Sequence, residues 1–323
     1  MTNLKKIGLT ALAGSLVVTS AFAGALSVSG GAKISHTTKG GNEDGAAASQ
    51  GSPFGLQKSI GFTGSGELDN GHTVSLAHYS AVGGANSSSI LTYDMGDAGT
   101  IVYHDSSAAL GIAKIDDLMP TADEEIWNGV GGSPVGRTNG PGTGFNYTNS
   151  TAMDGVRIDI GYSSKSTGNE SDDGGTSGAG GLKSASSIAI QYTGIEGAKI
   201  FAGTGSKGAA AGTETDLDTY GFTYTMGAIT VGAQRSETDV SGAADLEKDA
   251  YGIAFALNEN LSVSYGASET SEVGSALDQE LSGISVGYSM GGISIKAHAN
   301  EGKNVSNIAA EHAHTEIAVS FAF

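Results

Sequence analysis

The sequence predicts an all-β chain, a transmembrane antiparallel β-barrel of about sixteen strands. Three observations predict it. The first is composition. The 323 residues hold 52 glycines, four prolines and no cysteine, and only 38% are apolar. A chain of this length with so few large apolar side chains struggles to fill a solid core. A hollow barrel needs far less, because its apolar face turns outward to lipid and its interior is wet. The second observation is alternation with period two. In the last segment Ile317, Val319, Phe321 and Phe323 share one face and Glu316, Ala318, Ser320 and Ala322 the other. The third is that the connections alternate between tight turns and long polar stretches, as the hairpins of a barrel do.

Taken from the start, residues 1–23 read as a secretory signal peptide and residues 24–323 as the barrel. Lys5 and Lys6 form a positive n-region, Ile7 to Val18 an apolar stretch, and Ala21-Phe22-Ala23 a small-x-small cleavage pattern. The apolar stretch is too short to span about 30 Å of hydrocarbon comfortably as a helix. Beyond it no segment carries helical apolar periodicity. The segments that do carry a pattern alternate: Leu26 to Ser29, Val156 to Ile160 and Ile293 to Lys296 each put apolar residues on one face and polar ones on the other.

Tight turns recur at Asp69-Asn70-Gly71, Gly96-Asp97, Met153-Asp154, Ile195-Glu196-Gly197, Met226-Gly227, Glu259-Asn260 and Gly291-Gly292. These are the Gly/Asn/Asp chemistries that close hairpins. Longer stretches rich in Gly, Ser, Asp and Ala fall near 39–57, 81–86, 106–143, 166–185, 208–215, 240–247, 271–277 and 304–309. Seven short and eight long connections give sixteen strands, with both chain ends on the short-turn side. That side is expected to be periplasmic. An even strand number with closure leaves no unpaired edge in lipid.

Charge removes other classes. The formal net charge is −18, with 16 basic and 34 acidic residues. A nucleic-acid partner needs the opposite surface. Without cysteine there is no disulfide framework and no thiolate metal site.

At this point the chain resembles the general porins of Gram-negative bacteria, in particular those of alphaproteobacteria. The most specific part is the third long stretch, 106–143, followed by Gly144-Phe145-Asn146-Tyr147-Thr148-Asn149-Ser150 and then Gly155-Val156-Arg157-Ile158-Asp159-Ile160-Gly161-Tyr162. Those two pieces are similar to the hairpin after the family's third loop. The terminal strand, with Phe321 and Phe323, is similar to the signal read by the barrel-assembly machinery. The resemblance implies a homotrimer in the cell outer membrane and a third loop folded into the lumen. It implies a water-filled channel for passive diffusion of ions and small hydrophilic solutes. It implies no enzyme activity and no resident cofactor.

Within that frame the third loop supplies the candidate constriction: Asp105 at its start, then Asp116, Asp117, Asp123, Glu124 and Glu125. A solvated acidic loop is the simpler reading of such a cluster. In a narrow passage the same carboxylates act on every ion that passes. Trp127, the only tryptophan, is read as the apolar anchor that pins the loop to the wall. Basic residues are expected on the opposite wall. Lys33, Arg157 and Lys296 all fall on the polar side of their strands, and Arg157 is the first choice among them. The excess of carboxylates predicts moderate cation preference.

Further acids, Glu43, Asp44, Glu170, Asp172, Asp173, Asp245 and Glu247, lie in or beside the outer loops. Oxygen-rich clusters of this kind can hold Ca²⁺ or bridge it to lipopolysaccharide, although no spacing matches a defined calcium loop. Tyr93, Tyr103, Tyr162, Tyr192 and Tyr288 near strand ends fit the aromatic girdles at the two membrane surfaces.

Three motifs carry little. Gly287-Tyr288-Ser289-Met290-Gly291 matches the nucleophile-elbow pattern, but a strand and not a helix follows it. His312 and His314 share one face, with His298 on the neighbouring strand; two imidazoles can bind zinc or copper, yet a pair near a channel mouth is the plainer reading. Gly203 to Gly208 lacks the spacing of a phosphate loop. The competing reading of the whole chain is a secreted or surface-attached structural or adhesive β-protein without a channel. It is weakened by the lack of a fixed-period repeat.

Overall fold

A computed structural model of the chain describes residues 24, 26–42, 52–80, 86–105, 109–131, 144–164, 184–208 and 214–323. The leader at 1–23 and the loop acids Glu43, Asp44, Glu170, Asp172 and Asp173 lie outside the described residues.

Sixteen strands follow one another as β1 (Ser27–Asn42), β2 (Phe54–Glu67), β3 (Thr73–Ser80), β4 (Asn86–Asp94), β5 (Thr100–His104), β6 (Gly144–Asn149), β7 (Val156–Ser163) and β8 (Ala185–Tyr192). Then come β9 (Ala198–Gly208), β10 (Glu214–Met226), β11 (Ile229–Val240), β12 (Leu246–Ala256), β13 (Leu261–Glu272), β14 (Gln279–Met290), β15 (Ile293–Lys303) and β16 (Glu311–Ala322). Each pairs with its sequence neighbours, and β1 pairs with β16, so the sheet closes into a barrel. Closure is antiparallel, with Ala32 opposite Phe321 and Lys39 opposite His314. The seven predicted turns all fall between strands on one rim, and the eight long connections leave the other rim.

The alternation read from the sequence sets the two faces. Ile34, Leu56, Ile188, Ile190, Tyr220, Phe222, Ile253, Ile284 and Ile317 point outward and are exposed. Thr219, Gln234, Ser264, Ser285, His298 and Asn300 point inward and are buried. Tyr162, Tyr192 and Tyr288 are among the outward, exposed residues. At the long-loop rim the outer face turns acidic. Glu237 on β11 lies beside Glu247 on β12, Asp249 beside Glu269, and Glu280 beside Lys303, with Arg235 ion-paired to Glu237, Glu247 and Asp249.

Ser289 lies in β14, paired with Ser294 of β15, so the elbow-like motif is a plain hairpin. Gly203 to Gly208 lies within β9.

Candidate functional site

The barrel is not empty. Segment 109–131, the described part of the third long connection, lies against the inner wall from β6 round to β16. Among the described residues, the two buried apolar clusters both belong to this contact. In one, Ile112 and Ile115 pack on Ala189, Phe201 and Leu217, with Leu118 and Met119 at its margin. In the other, Val130 packs on Leu281, Val305 and Ala310, with Ile126 and Trp127 against them. The position of Trp127 follows from this. Its ring lies beside the apolar cluster and also carries the Lys248 ammonium 3.9 Å from its centroid, a cation–π contact.

Glycines make the approach possible. Inward-facing Gly161, Gly203, Gly232, Gly252 and Gly266 lie on five different strands, and each lacks the Cβ that would collide with the segment. A Cβ at Gly203 would stand 3.0 Å from Ile112 and Ile115, one at Gly252 2.9 Å from Pro120, and one at Gly266 2.7 Å from Ile126. These glycines form a track along which the segment lies flat.

Polar side chains of the wall satisfy the segment's backbone, which would otherwise be buried without partners. The Gly111 N–H donates to Asn146 Oδ1 at 2.7 Å, and the Ile112 N–H donates to Ser187 Oγ at 3.1 Å. Gln234 donates to the carbonyls of Ile115 (2.9 Å) and Asp116 (3.1 Å) and accepts from the Leu118 N–H at 3.3 Å. The Ala122 N–H reaches Ser264 Oγ at 2.9 Å. Asn300 donates to the carbonyls of Glu125 and Asn128, both at 3.1 Å. None of these clamps was singled out in the sequence. An inward Asn or Gln in a barrel strand was the available signal.

The predicted acidic residues separate into distinct roles. Asp105 directly follows β5, and its carboxylate accepts the Ser89 N–H at 2.6 Å. Asp117 is turned in beside Lys248 and accepts the Met119 N–H at 3.0 Å. Burial pushes its carboxyl up to about 6, against the lowering effect of that hydrogen bond and of the Lys248 charge. Asp123 is ion-paired with Lys296 at 3.6 Å and bonded to His298 at 2.8 Å. Burial works against its ionisation, but the His298 bond and the Lys296 charge outweigh it and hold the carboxyl below its ordinary value. Burial also pushes the Lys114 ammonium down, with Arg157 adding to the fall and Asp159 opposing it. Asp116, Glu124 and Glu125 are half-buried on the segment.

The basic residues depart from the expected opposite wall. Lys296 sits beneath the segment, neutralised by Asp123. Arg157 lies on β7, part of the wall that the segment follows, and forks onto buried Asp159 with bonds of 2.7 and 3.0 Å. That carboxylate also accepts from Thr148 at 2.6 Å. Both cations have nearby buried carboxylates, which hold them there. Only Lys33 of the three lies on a strand outside the wall that the segment follows. It is on β1, where it pairs with Glu316 at 3.3 Å, and Lys39 shares its face. Among the described residues, no group of three or more His, Cys, Asp or Glu is arranged to hold a metal.

At the ends of the chain, Phe321 and Phe323 are exposed, and the last residue is held to β1 by reciprocal backbone bonds with Gly30 of 2.7 and 3.0 Å.

No protein-family model matches the sequence, and no curated protein matches it. Solved structures do match. An anion-selective porin from Comamonas acidovorans superposes with a TM-score of 0.69 at 12% identity, covering 93% of this chain and 99% of that one. A mutant of the Rh. blastica porin gives 0.66 at 15% identity, covering 93% and 100%. OmpT, an outer membrane protein of Vibrio cholerae, gives 0.65 at 13% identity, covering 92% and 97%. Over nearly its whole length, then, the chain has the fold of the sixteen-stranded bacterial porins.

Proposed function

We propose that the chain is an outer-membrane porin, a water-filled channel through which ions and small hydrophilic solutes diffuse passively, with moderate cation preference. The observation that carries this reading is a segment lying inside a closed barrel. It narrows the lumen on the β6–β16 side, and the inward residues of β1 and β2, among them Ser29, Lys33, Ser35, Thr37 and Gln57, are polar, as the wall of a wet passage is. A solid core would have no such passage, and a catalytic site would need reactive groups converging in it.

The ion preference rests on Asp116, Glu124 and Glu125, because Asp123 is neutralised by Lys296 and Asp117 is turned in beside the Lys248 ammonium. Lys33 and Lys39, on the inner face of β1, oppose them, so the preference is modest. The rim carboxylates on β11–β15 face the height of lipopolysaccharide phosphates. Ca²⁺ bridging there accounts for acids on an outward surface. The exposed terminal strand with Phe321 and Phe323 fits recognition by the barrel-assembly machinery.

The homotrimer is what the porin resemblance implies, and one physical observation supports contact with other copies of the chain. A tilted strand needs about 9–11 residues to cross hydrocarbon. β5 has 5 residues and β6 has 6. The wall there is too low to face lipid tails, and a second copy of the chain covers it.

Reconstitution in a planar bilayer under a salt gradient tests the reading. Stable openings with a cation-side reversal potential are expected. Neutralising Asp116, Glu124 and Glu125 together should move that potential toward zero. Well-folded protein without conductance would overturn the channel in favour of a structural β-protein.

A further inference from the structure

Three histidines on two adjacent strands face the tip of the inner segment, and the channel reading does not use them. His298 on β15 and His314 on β16 are 2% and 5% exposed. Asp123 Oδ2 is 2.8 Å from His298 Nδ1, and His298 Nε2 is 3.1 Å from His314 Nδ1. The two rings stack with centroids 5.2 Å apart. Gly129 rides directly on the His314 ring. Its φ of 76° brings the backbone so close that a Cβ would fall 2.1 Å from the imidazole. His312 holds the Val130 carbonyl. The tip of the segment thus rests on this imidazole pair.

Proton counting shows what the pair can and cannot accept. Ionised Asp123 takes a proton-bearing Nδ1 from His298. The N···N bond to His314 then needs one N–H and one lone pair. It is satisfied when both rings are neutral, with His314 donating. It is satisfied again after one proton is added, with His298 donating and its charge set against Asp123. A second proton puts N–H against N–H. The bond is lost, and two like charges are left stacked in a buried place.

The surrounding groups do not relieve that state. From the segment the facing charge is Asp123, already engaged. From β15 it is Lys296, and from β1 it is Lys39, opposite His314; both are cations. On β16 Glu316 is occupied by Lys33 and Thr37. β14 presents Ser285, which does not titrate. His312 differs, because a carbonyl only accepts. Its Nδ1 already carries a proton, and charging the ring leaves that bond intact.

We propose that the His298–His314 pair is an acid-operated clasp: it positions segment 123–130 against β15 and β16, and uptake of the second proton releases the tip and changes the passage. The proposal rests on the channel reading for its consequence but not for its geometry. Trp127, the only tryptophan, lies inside the clasped stretch and reports its packing directly.

The test measures single-channel conductance and Trp127 emission of the reconstituted full barrel from pH 7.5 to 4.0 and back. The wild type is expected to change conductance reversibly by at least about twofold, with emission moving over the same interval, in the acid range where imidazoles charge. His314→Gln offers His298 an amide partner that does not titrate, and both profiles should flatten. His298→Gln should do the same, and serves if the first variant loses the heat-modifiable gel migration of a folded barrel. Asp117→Asn should keep the step, because Asp117 also changes charge on acidification but lies outside the pair.

A wild type flat in both readouts overturns the clasp. So does a step that survives His314→Gln, one that vanishes in Asp117→Asn, or an emission change in a conducting channel whose conductance stays constant. Absence of conductance at every pH, with the emission step present in the wild type and lost in His314→Gln, would sink the channel reading and leave the clasp standing.

Discussion

At the scale of single residues, the inner segment gives its five acids, from Asp116 to Glu125, different surroundings, because it turns against different wall residues at each position. Asp117 is turned in beside Lys248, Asp123 is ion-paired with Lys296, and the other three stay half-buried on the segment. Asp117 gives a sharp consequence. Its carboxyl is pushed up to about 6 by burial, above the value it has in the unfolded chain. The folded state therefore binds a proton that the unfolded state has released. The resulting stabilisation is complete below the unfolded value and is lost as pH rises through about 6, so above that the buried charge is a penalty. Asp117→Asn keeps an acceptor for the Met119 N–H without that charge. It is expected to raise stability by roughly 2–3 kcal/mol at pH 8 and by nothing at pH 3. Urea titration of the barrel in lipid vesicles at the two pH values measures this. Equal midpoints for wild type and variant at pH 8 would contradict the assigned burial.

At the scale of elements, the strands were legible and the path of the inner segment was not. A period of two read along each strand is local, and so are Gly/Asn/Asp turns; both survive as sequence signals. The line from β6 to β16 is written across strands, in residues far apart in sequence. Gly161, Gly203, Gly232, Gly252 and Gly266 read one at a time as loose strand residues. They gain meaning only when register aligns them under Leu110, Ile112, Pro120 and Ile126. The same holds for Gln234 and Asn300, each an ordinary inward polar residue until a backbone arrives opposite it. Lys296 and Arg157 were assigned to the correct face but to the wrong wall for the same reason. Face follows from parity, whereas wall follows from closure and from where the segment lies. Gly252→Val tests the track. The added side chain meets Pro120 where even a bare Cβ would stand 2.9 Å away. It should cost about 1–3 kcal/mol by overpacking and displace the segment toward the lumen, lowering single-channel conductance. A matched change at Gly242, which has nothing within 4 Å, sits at a φ of 81° and shifts only a surface turn; it controls for general strain. Unaltered conductance in Gly252→Val would mean that the segment does not depend on the track.

At the scale of the whole molecule, the barrel's outer face is not uniform, and the departures fall together. The strands β9 to β16 run from 11 to 13 residues, long enough to cross hydrocarbon. Their mid-heights carry Ile, Val, Tyr and Phe outward. On β2 the outward row reads Phe54, Leu56, Lys58, Ile60, Phe62, so a lysine stands midway between two phenylalanines with aliphatic neighbours on both sides. Its paired neighbour on β1 is Ala32. Facing lipid near the bilayer midplane, that ammonium would cost about 2–4 kcal/mol. The short β5 and β6 lie a few strands further along the same side. A low wall and a mid-height cation are both liabilities against lipid, and both disappear against protein. This side of the barrel is therefore the one expected to meet other copies, with Lys58 held by an acceptor from its neighbour. Lys58→Glu reverses the charge at that contact without touching the lumen. Wild type should migrate as a heat-labile oligomer on a mild gel and close in three conductance steps, while the variant should run as a monomer with the strand content of the wild type. Should Lys58→Glu remain fully oligomeric, the subunit contact would have to lie elsewhere, and the lysine would have to reach the membrane surface along its own strand.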